Sequence, residues 1–160
     1  ESLVSNLGPS MQRGYDKAVS KFSQNLLAIV KKSLTLGIPP MGGGVTWQPL
    51  SPATIERWGQ HPIYNLTGLY SRSVGLYRYK SRVLIGLPIG TRRSSQKKLT
   101  LNQLAMMLEF GSSDGRIPPR PVWAPSLKAA GGKNKLKQLI LTEIRKELQK
   151  YGVRPNQVKW

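Results

Sequence analysis

The chain has 160 residues and a mass of 17.8 kDa, which is one domain's worth of sequence, or one domain with arms, about 15 Å in radius of gyration if compact. It carries 25 Lys and Arg against 7 Asp and Glu, a net charge of +18, with 39% hydrophobic residues and, in 16 Gly and 12 Pro, a surplus of turn formers. Zero cysteine and a single histidine exclude disulfide frameworks, thiolate zinc sites, thiol nucleophiles and multi-histidine metal centres, and no run of about 18 apolar residues spans a membrane.

The sequence opens on Glu1 rather than Met, so residues upstream of it are expected, and it shows no secretory pattern. From 10 to 36, Met11, Tyr15, Ala18, Phe22, Leu26, Ile29 and Ser33 recur at spacings of three and four. Val19, Leu27, Val30 and Leu34 widen the stripe, which predicts an amphipathic helix. Ser10 after Pro9 reads as its N-cap, and Gly37, Ile38 and Pro39 as its stop. A loop with Gly42, Gly43 and Gly44 at its centre follows. Ser51-Pro52 then opens a short helix that ends near Trp58-Gly59, and a further turn runs from Thr67 to about Val74.

The β-branched and aromatic enrichment at 76–80 and 82–87 predicts a hairpin turning near Lys80-Ser81, with Pro88 and Gly90 stopping the second strand. The stretch 89–99 is a long basic loop, because residues 90 to 98 include no apolar side chain. Thr100 with Gln103 is a capping box that opens a helix over 100–110. The segment from Ser112 to Pro125 is rich in proline, and Pro121 to Trp123 is a candidate third strand on the hairpin edge. A last helix spans 133–151, with Leu136, Leu139, Ile140, Ile144, Leu148 and Tyr151 as its stripe and Gly152 as its terminator. These elements predict an α+β fold over 1–160: a small antiparallel sheet packed by a long N-terminal helix, a middle helix and a C-terminal helix.

The residues of known catalytic machinery are scarce. His61 stands before Pro62 with no acidic orienter near it in sequence and reads as a surface or packing histidine. Glu143 and Glu147 are the only acids at helical spacing; beside Lys146 and Lys150 they suit surface ion pairs. The triple glycine precedes Val45-Thr46-Trp47, which is not a phosphate loop. Asn65-Leu66-Thr67 fits a glycosylation sequon and reads as chance. No metal or cofactor is expected. The basic residues are the stronger signal. Arg92, Arg93, Lys97 and Lys98 cluster in the polar loop, and Lys133, Lys135 and Lys137 at the start of the last helix, where the helix dipole disfavours cations. Both clusters invite an external anion, and without a helix-turn-helix, zinc finger or RNA-recognition signature any DNA contact would be to the backbone.

Three segments carry a resemblance. The first is Trp47-Gln48-Pro49-Leu50-Ser51-Pro52-Ala53-Thr54, after a long helix. The second is Leu66-Thr67-Gly68-Leu69-Tyr70-Ser71-Arg72-Ser73, leading into strands. The third, and most specific, is Glu109-Phe110-Gly111 followed by Ile117-Pro118-Pro119-Arg120-Pro121-Val122-Trp123-Ala124-Pro125-Ser126-Leu127. In this order, over roughly 10 to 150, they resemble the virion-morphogenesis and tail-completion proteins of tailed bacteriophages, the small head-to-tail neck subunits. The resemblance implies a structural subunit and not an enzyme: a homo-oligomeric ring, most often of six copies, between portal or adaptor-side neck proteins and the tail tube or sheath, with genomic DNA passing sequence-independently through the lumen. It also implies a place in the virion, assembled in the host bacterial cytoplasm.

On this reading Arg92, Arg93, Lys97 and Lys98 contact DNA or an acidic partner, and Glu109, Phe110, Gly111, Arg120 and Trp123 are subunit-contact candidates. For Arg120, an intrachain salt bridge to Glu109 or Asp114 is the competing role. A ring about 40 Å tall encloses on the order of 24 phosphates at one per 1.7 Å. Six copies at +18 each far exceed that, so much of the charge faces acidic neighbours or solvent ions. The alternative function is a non-sequence-specific DNA-binding protein.

Overall fold

The computed structural model describes residues 2–63, 68–79, 82–88 and 100–153. The chain order is α1 (Ser2–Leu36), α2 (Pro52–Trp58), α3 (Leu69–Ser73), β1 (Gly75–Tyr79), β2 (Arg82–Gly86), α4 (Leu101–Phe110), α5 (Trp123–Ala129) and α6 (Gly132–Gln149). Among the described residues this makes six helices and one two-stranded antiparallel sheet, the α+β fold that the sequence predicts. The basic loop 89–99, the hairpin turn at Lys80-Ser81 and the sequon at Asn65 lie outside the described residues.

Most element ends follow from local chemistry. Ser51 caps α2 by accepting from the Thr54 N–H, with Pro52 in the first turn. The reciprocal Thr100–Gln103 capping box opens α4. After α1, the N–H groups of Gly37 and Ile38 both return to the Ser33 carbonyl, the arrangement that ends a helix at glycine. The hairpin pairs Gly75 with Gly86, Tyr77 with Leu84 and Tyr79 with Arg82.

Two expectations are corrected. α1 does not begin at Ser10: it starts at Ser2 and runs through Pro9. A proline removes one ladder bond and crowds one carbonyl, but the turns on either side still close. Ser10, fully buried, accepts a hydrogen bond from Arg13 within the helix (2.8 Å). Nor does Pro121 to Trp123 form a third strand. Trp123 begins α5, whose Pro125 sits in the first turn, where a missing N–H costs nothing.

The chain forms two compact units, one of residues 1–25 and 131–160 and one of residues 26–130. In the first, Ala18 and Phe22 of α1 and Ile144 and Leu148 of α6 are buried. Gly14 makes this packing possible: a Cβ there would stand 2.6 Å from the Ile144 Cα, so the two helix backbones approach closer than any side chain allows. In the second, Val30, Leu34, Tyr70, Val74, Leu108 and Val122 form a buried cluster, flanked by Trp47, Leu87, Leu104 and Trp123. Each of its fully buried aliphatic side chains contributes about 1.5–3 kcal/mol. Among the described residues no helix is long and apolar enough to cross a membrane.

Candidate functional site

The second unit brings the three quoted sequence segments to one joint. α4 ends at Phe110, and Gly111 turns the chain with φ +83°; a Cβ there would meet the Ile117 carbonyl and Pro119. The returning proline-rich segment is pinned to α4 by the Arg120 N–H, which donates to the Leu108 carbonyl at 2.7 Å. The Glu109 carboxylate then accepts from the Val122 N–H at 2.7 Å and the Trp123 N–H at 3.2 Å. These are orphan donors at the start of α5, whose own N-cap, Val122, has no side chain to satisfy them. A carboxylate at a helix start also gains from the positive end of the backbone dipoles.

The first segment meets the third through three hydrogen bonds. Arg120 is only 6% exposed, and its Nε and Nη2 donate to the Gln48 and Pro49 carbonyls, each at 3.1 Å. The Trp47 Nε1 donates to the Pro121 carbonyl at 3.1 Å. The second segment meets the third at Tyr70, which is buried in the core. Burial pushes its phenol pKa well up, the nearby Glu109 charge adds to that, and a hydrogen bond with Trp123 pulls part of it back. Tyr70 is thus a neutral hydroxyl at any ordinary pH.

Of the subunit-contact candidates, Glu109, Arg120 and Trp123 serve this joint, and Gly111 is its hinge. Phe110 alone points away, at 71% exposure. Asp114 accepts from Ser112 and the Arg116 N–H and pairs with the Arg116 side chain at 3.3 Å. The hydrogen bond from Ser112 is the main cause that lowers its pKa. Arg92, Arg93, Lys97 and Lys98 lie outside the described residues.

Beside the joint lies a groove of about 570 Å³, lined by Leu50, Trp58, Leu69, Leu104 and Ile117 among others. His61 reaches it. Its Nδ1 donates to the Pro62 carbonyl at 2.9 Å, and its Nε2 is buried without a hydrogen-bond partner. Among the described residues no group of three or more His, Asp and Glu stands close enough to hold a metal.

The first unit corrects another expectation. Glu143 and Glu147 are not surface acids but are 6% and 4% exposed, on the face of α6 turned to α1. Lys21 donates to Glu143 at 2.8 Å and Lys17 to Glu147; Lys146 (3.3 Å) and Lys150 (2.9 Å) reach the same carboxylates from their own helix. Hydrogen bonds from Lys17 and then Lys150 hold the Glu147 carboxyl down at about 2, and those from Lys21 chiefly depress Glu143. The same contact with Glu147 raises Lys17. Arg13 adds a hydrogen bond to the Tyr151 hydroxyl at 2.8 Å. In contrast, Lys133, Lys135 and Lys137 at the start of α6 are exposed, and Gly131 supplies no side-chain cap there.

The sequence pattern did not expose Glu109 as a cap, because α5 itself was hidden. The readable signal was Ser126 to Ala130, a run of helix-compatible residues ahead of Gly131. No family of known proteins, no curated protein and no solved structure matches the chain.

Proposed function

We propose that the chain is a structural subunit of the phage head-to-tail interface, a neck or tail-completion protein that acts by assembling into a ring through which DNA passes. One observation carries the reading. The three segments that resemble this group of proteins are far apart in sequence, yet they converge on the single joint of Glu109, Arg120, Trp123, Tyr70 and Trp47. A set of residues that reads as one signature also acts as one mechanical unit, and its polar groups serve backbone donors and acceptors in place of a substrate.

The charge supports an anionic neighbour. Of the seven acids, Asp16, Glu109, Asp114, Glu143 and Glu147 already accept hydrogen bonds inside the chain. Further copies of the chain therefore bring little to neutralise the exposed lysines, and DNA or an acidic adjoining ring is the partner that does. The exposed Lys133, Lys135 and Lys137 also favour a second reading, a small sequence-independent DNA-binding protein.

Light scattering across a salt series separates the two. Six copies of the 17.8 kDa chain come to about 107 kDa, and the ring reading expects that mass to persist as salt rises. A particle that stays at chain mass at every concentration, with DNA affinity that falls steeply with salt, overturns it.

A further inference from the structure

The hairpin leaves one face uncovered. Residues that alternate onto the same face as Tyr77 are Gly75 and Tyr79, and their partners across the ladder are Leu84, Gly86 and Arg82. Tyr77 is 40%, Leu84 57% and Tyr79 63% exposed. The Tyr77 ring lies over Gly75, with its Oη 2.8 Å from where a Cβ would be, while the matching position above Gly86 is open space. The result is an exposed shelf of Tyr77, Tyr79 and Leu84, with the exposed Arg82 at its end. Among the described residues the sheet has these two strands, and a two-stranded sheet is marginal by itself.

A second apolar patch sits on α4. Met106 and Phe110, one helical turn apart on the same face, are 60% and 71% exposed. Phe110 closes the helix directly beside Glu109, so its position is fixed by the joint.

We propose that these two patches are the two halves of one subunit interface: the Tyr77–Tyr79–Leu84 face of one copy docks on the Met106–Phe110 end of α4 in the next copy. The choice of a second copy as occupant rests on the ring reading above. A ring needs a head-to-tail contact between two different surfaces of the same chain, and these two are patches in which exposed apolar side chains sit side by side on one regular element. At roughly 200 Å² per large side chain, the five residues expose on the order of 600 Å². That is the apolar centre of a standard interface of about 1,600 Å² in total, whose polar rim makes up the rest. Neither patch alone reaches this size. Charge points the same way: with 25 basic against 7 acidic residues the copies repel, so their contact draws mainly on apolar burial.

The absence of cysteine gives a clean test. Leu84→Cys and Phe110→Cys chains are mixed, oxidised and resolved without reductant, beside the L84C/F110C double variant and each single variant alone. The expected result is a linked dimer from the mixture, a ladder of linked copies from the double variant, and only traces from either single variant. Strong linking of a single variant with itself shows a two-fold contact and overturns the proposal. A ring-sized particle without 84–110 links overturns the docking but leaves the ring standing, whereas chain-sized particles at every concentration overturn the ring reading as well.

As a second measurement, Leu84→Ser and Phe110→Ser should each weaken assembly at least tenfold with unchanged helical circular dichroism. If both assemble normally and lose instead the binding of DNA or of an acidic protein, the patches belong to that other partner and the proposal falls.

Discussion

Replacing Glu109 isolates the joint. Glu109→Ala removes two acceptors at once and leaves the Val122 and Trp123 N–H groups, at the start of α5, without their carboxylate. A hydrogen bond to a charged group contributes about 1.5–3 kcal/mol, and a buried donor left alone costs about 1–3 kcal/mol. Partial re-solvation of the opened site makes the lower half of that range the better guide, so Glu109→Ala should cost about 3–4 kcal/mol. Glu109→Gln keeps one acceptor oxygen and loses the charge, and should cost about 1–2 kcal/mol by the same reasoning. Against a typical total of about 5–15 kcal/mol, the first change is severe and the second tolerable. Urea unfolding followed by tryptophan fluorescence reads both, since Trp47 and Trp123 report on the joint. The order wild type, Gln, Ala at constant urea slope is the expected outcome. A loss below about 1 kcal/mol for Glu109→Ala would mean that α5 does not depend on this cap, and the joint as described would be wrong.

Three further outcomes follow from the same geometry, and a fourth from the charge pattern of the sequence under the proposed function. Gly14→Ala puts a methyl group against the Ile144 backbone, which cannot swing aside as a side chain can; it should cost about 1–3 kcal/mol, read as a lowered thermal midpoint, while Gly8→Ala, with nothing within 4 Å, should not. Glu147 has its folded pKa near 2, below the usual 4.5, so its stabilisation is present above 4.5 and is lost as the pH falls through 2; thermal melts in that window should flatten in Glu147→Gln, and an unchanged pH slope would contradict the pairing of Glu147 with Lys17 and Lys150. Arg120→Ala should destabilise by about 2–4 kcal/mol, whereas Arg116→Ala, whose side chain is 87% exposed, should stay within about 0.5 kcal/mol by urea unfolding. Replacing Arg92, Arg93, Lys97 and Lys98 together with Ser should leave the unfolding midpoint unchanged and make head-to-tail joining or DNA retention weaker and less salt-sensitive; normal infectious yield with normal salt sensitivity would reduce the cluster to a solubility feature.

The elements that the sequence announces are those stabilised by nearby residues. Ser51-Pro52, Thr100 with Gln103, and Gly37 act within a turn of themselves, and each helix end fell where its cap placed it. The errors share the opposite cause. Ser10 after Pro9 looks like an N-cap because serine favours that position and proline disfavours a helix interior, but the helix carries on through both. Glu143 and Glu147 have lysines at hand on their own helix and look solvated; only the facing Lys17, Lys21 and Gly14 of α1 make them buried. The matched four-residue spacing of 17 and 21 with 143 and 147 was the legible trace. At the joint, Arg120 donates to the backbone carbonyls of Gln48 and Pro49, and carbonyls have no residue type to read. The sequence offered an intrachain carboxylate, Glu109 or Asp114, as its alternative partner, and the backbone carbonyls it bonds left no trace to read.

A map of the intact virion tests the central claim most directly. The account predicts this fold between head and tail as a closed ring around the DNA, with the Tyr77–Leu84 face of each copy seated on Phe110 of the next. A map of the neck and tail end in which no ring of this fold occurs would contradict it.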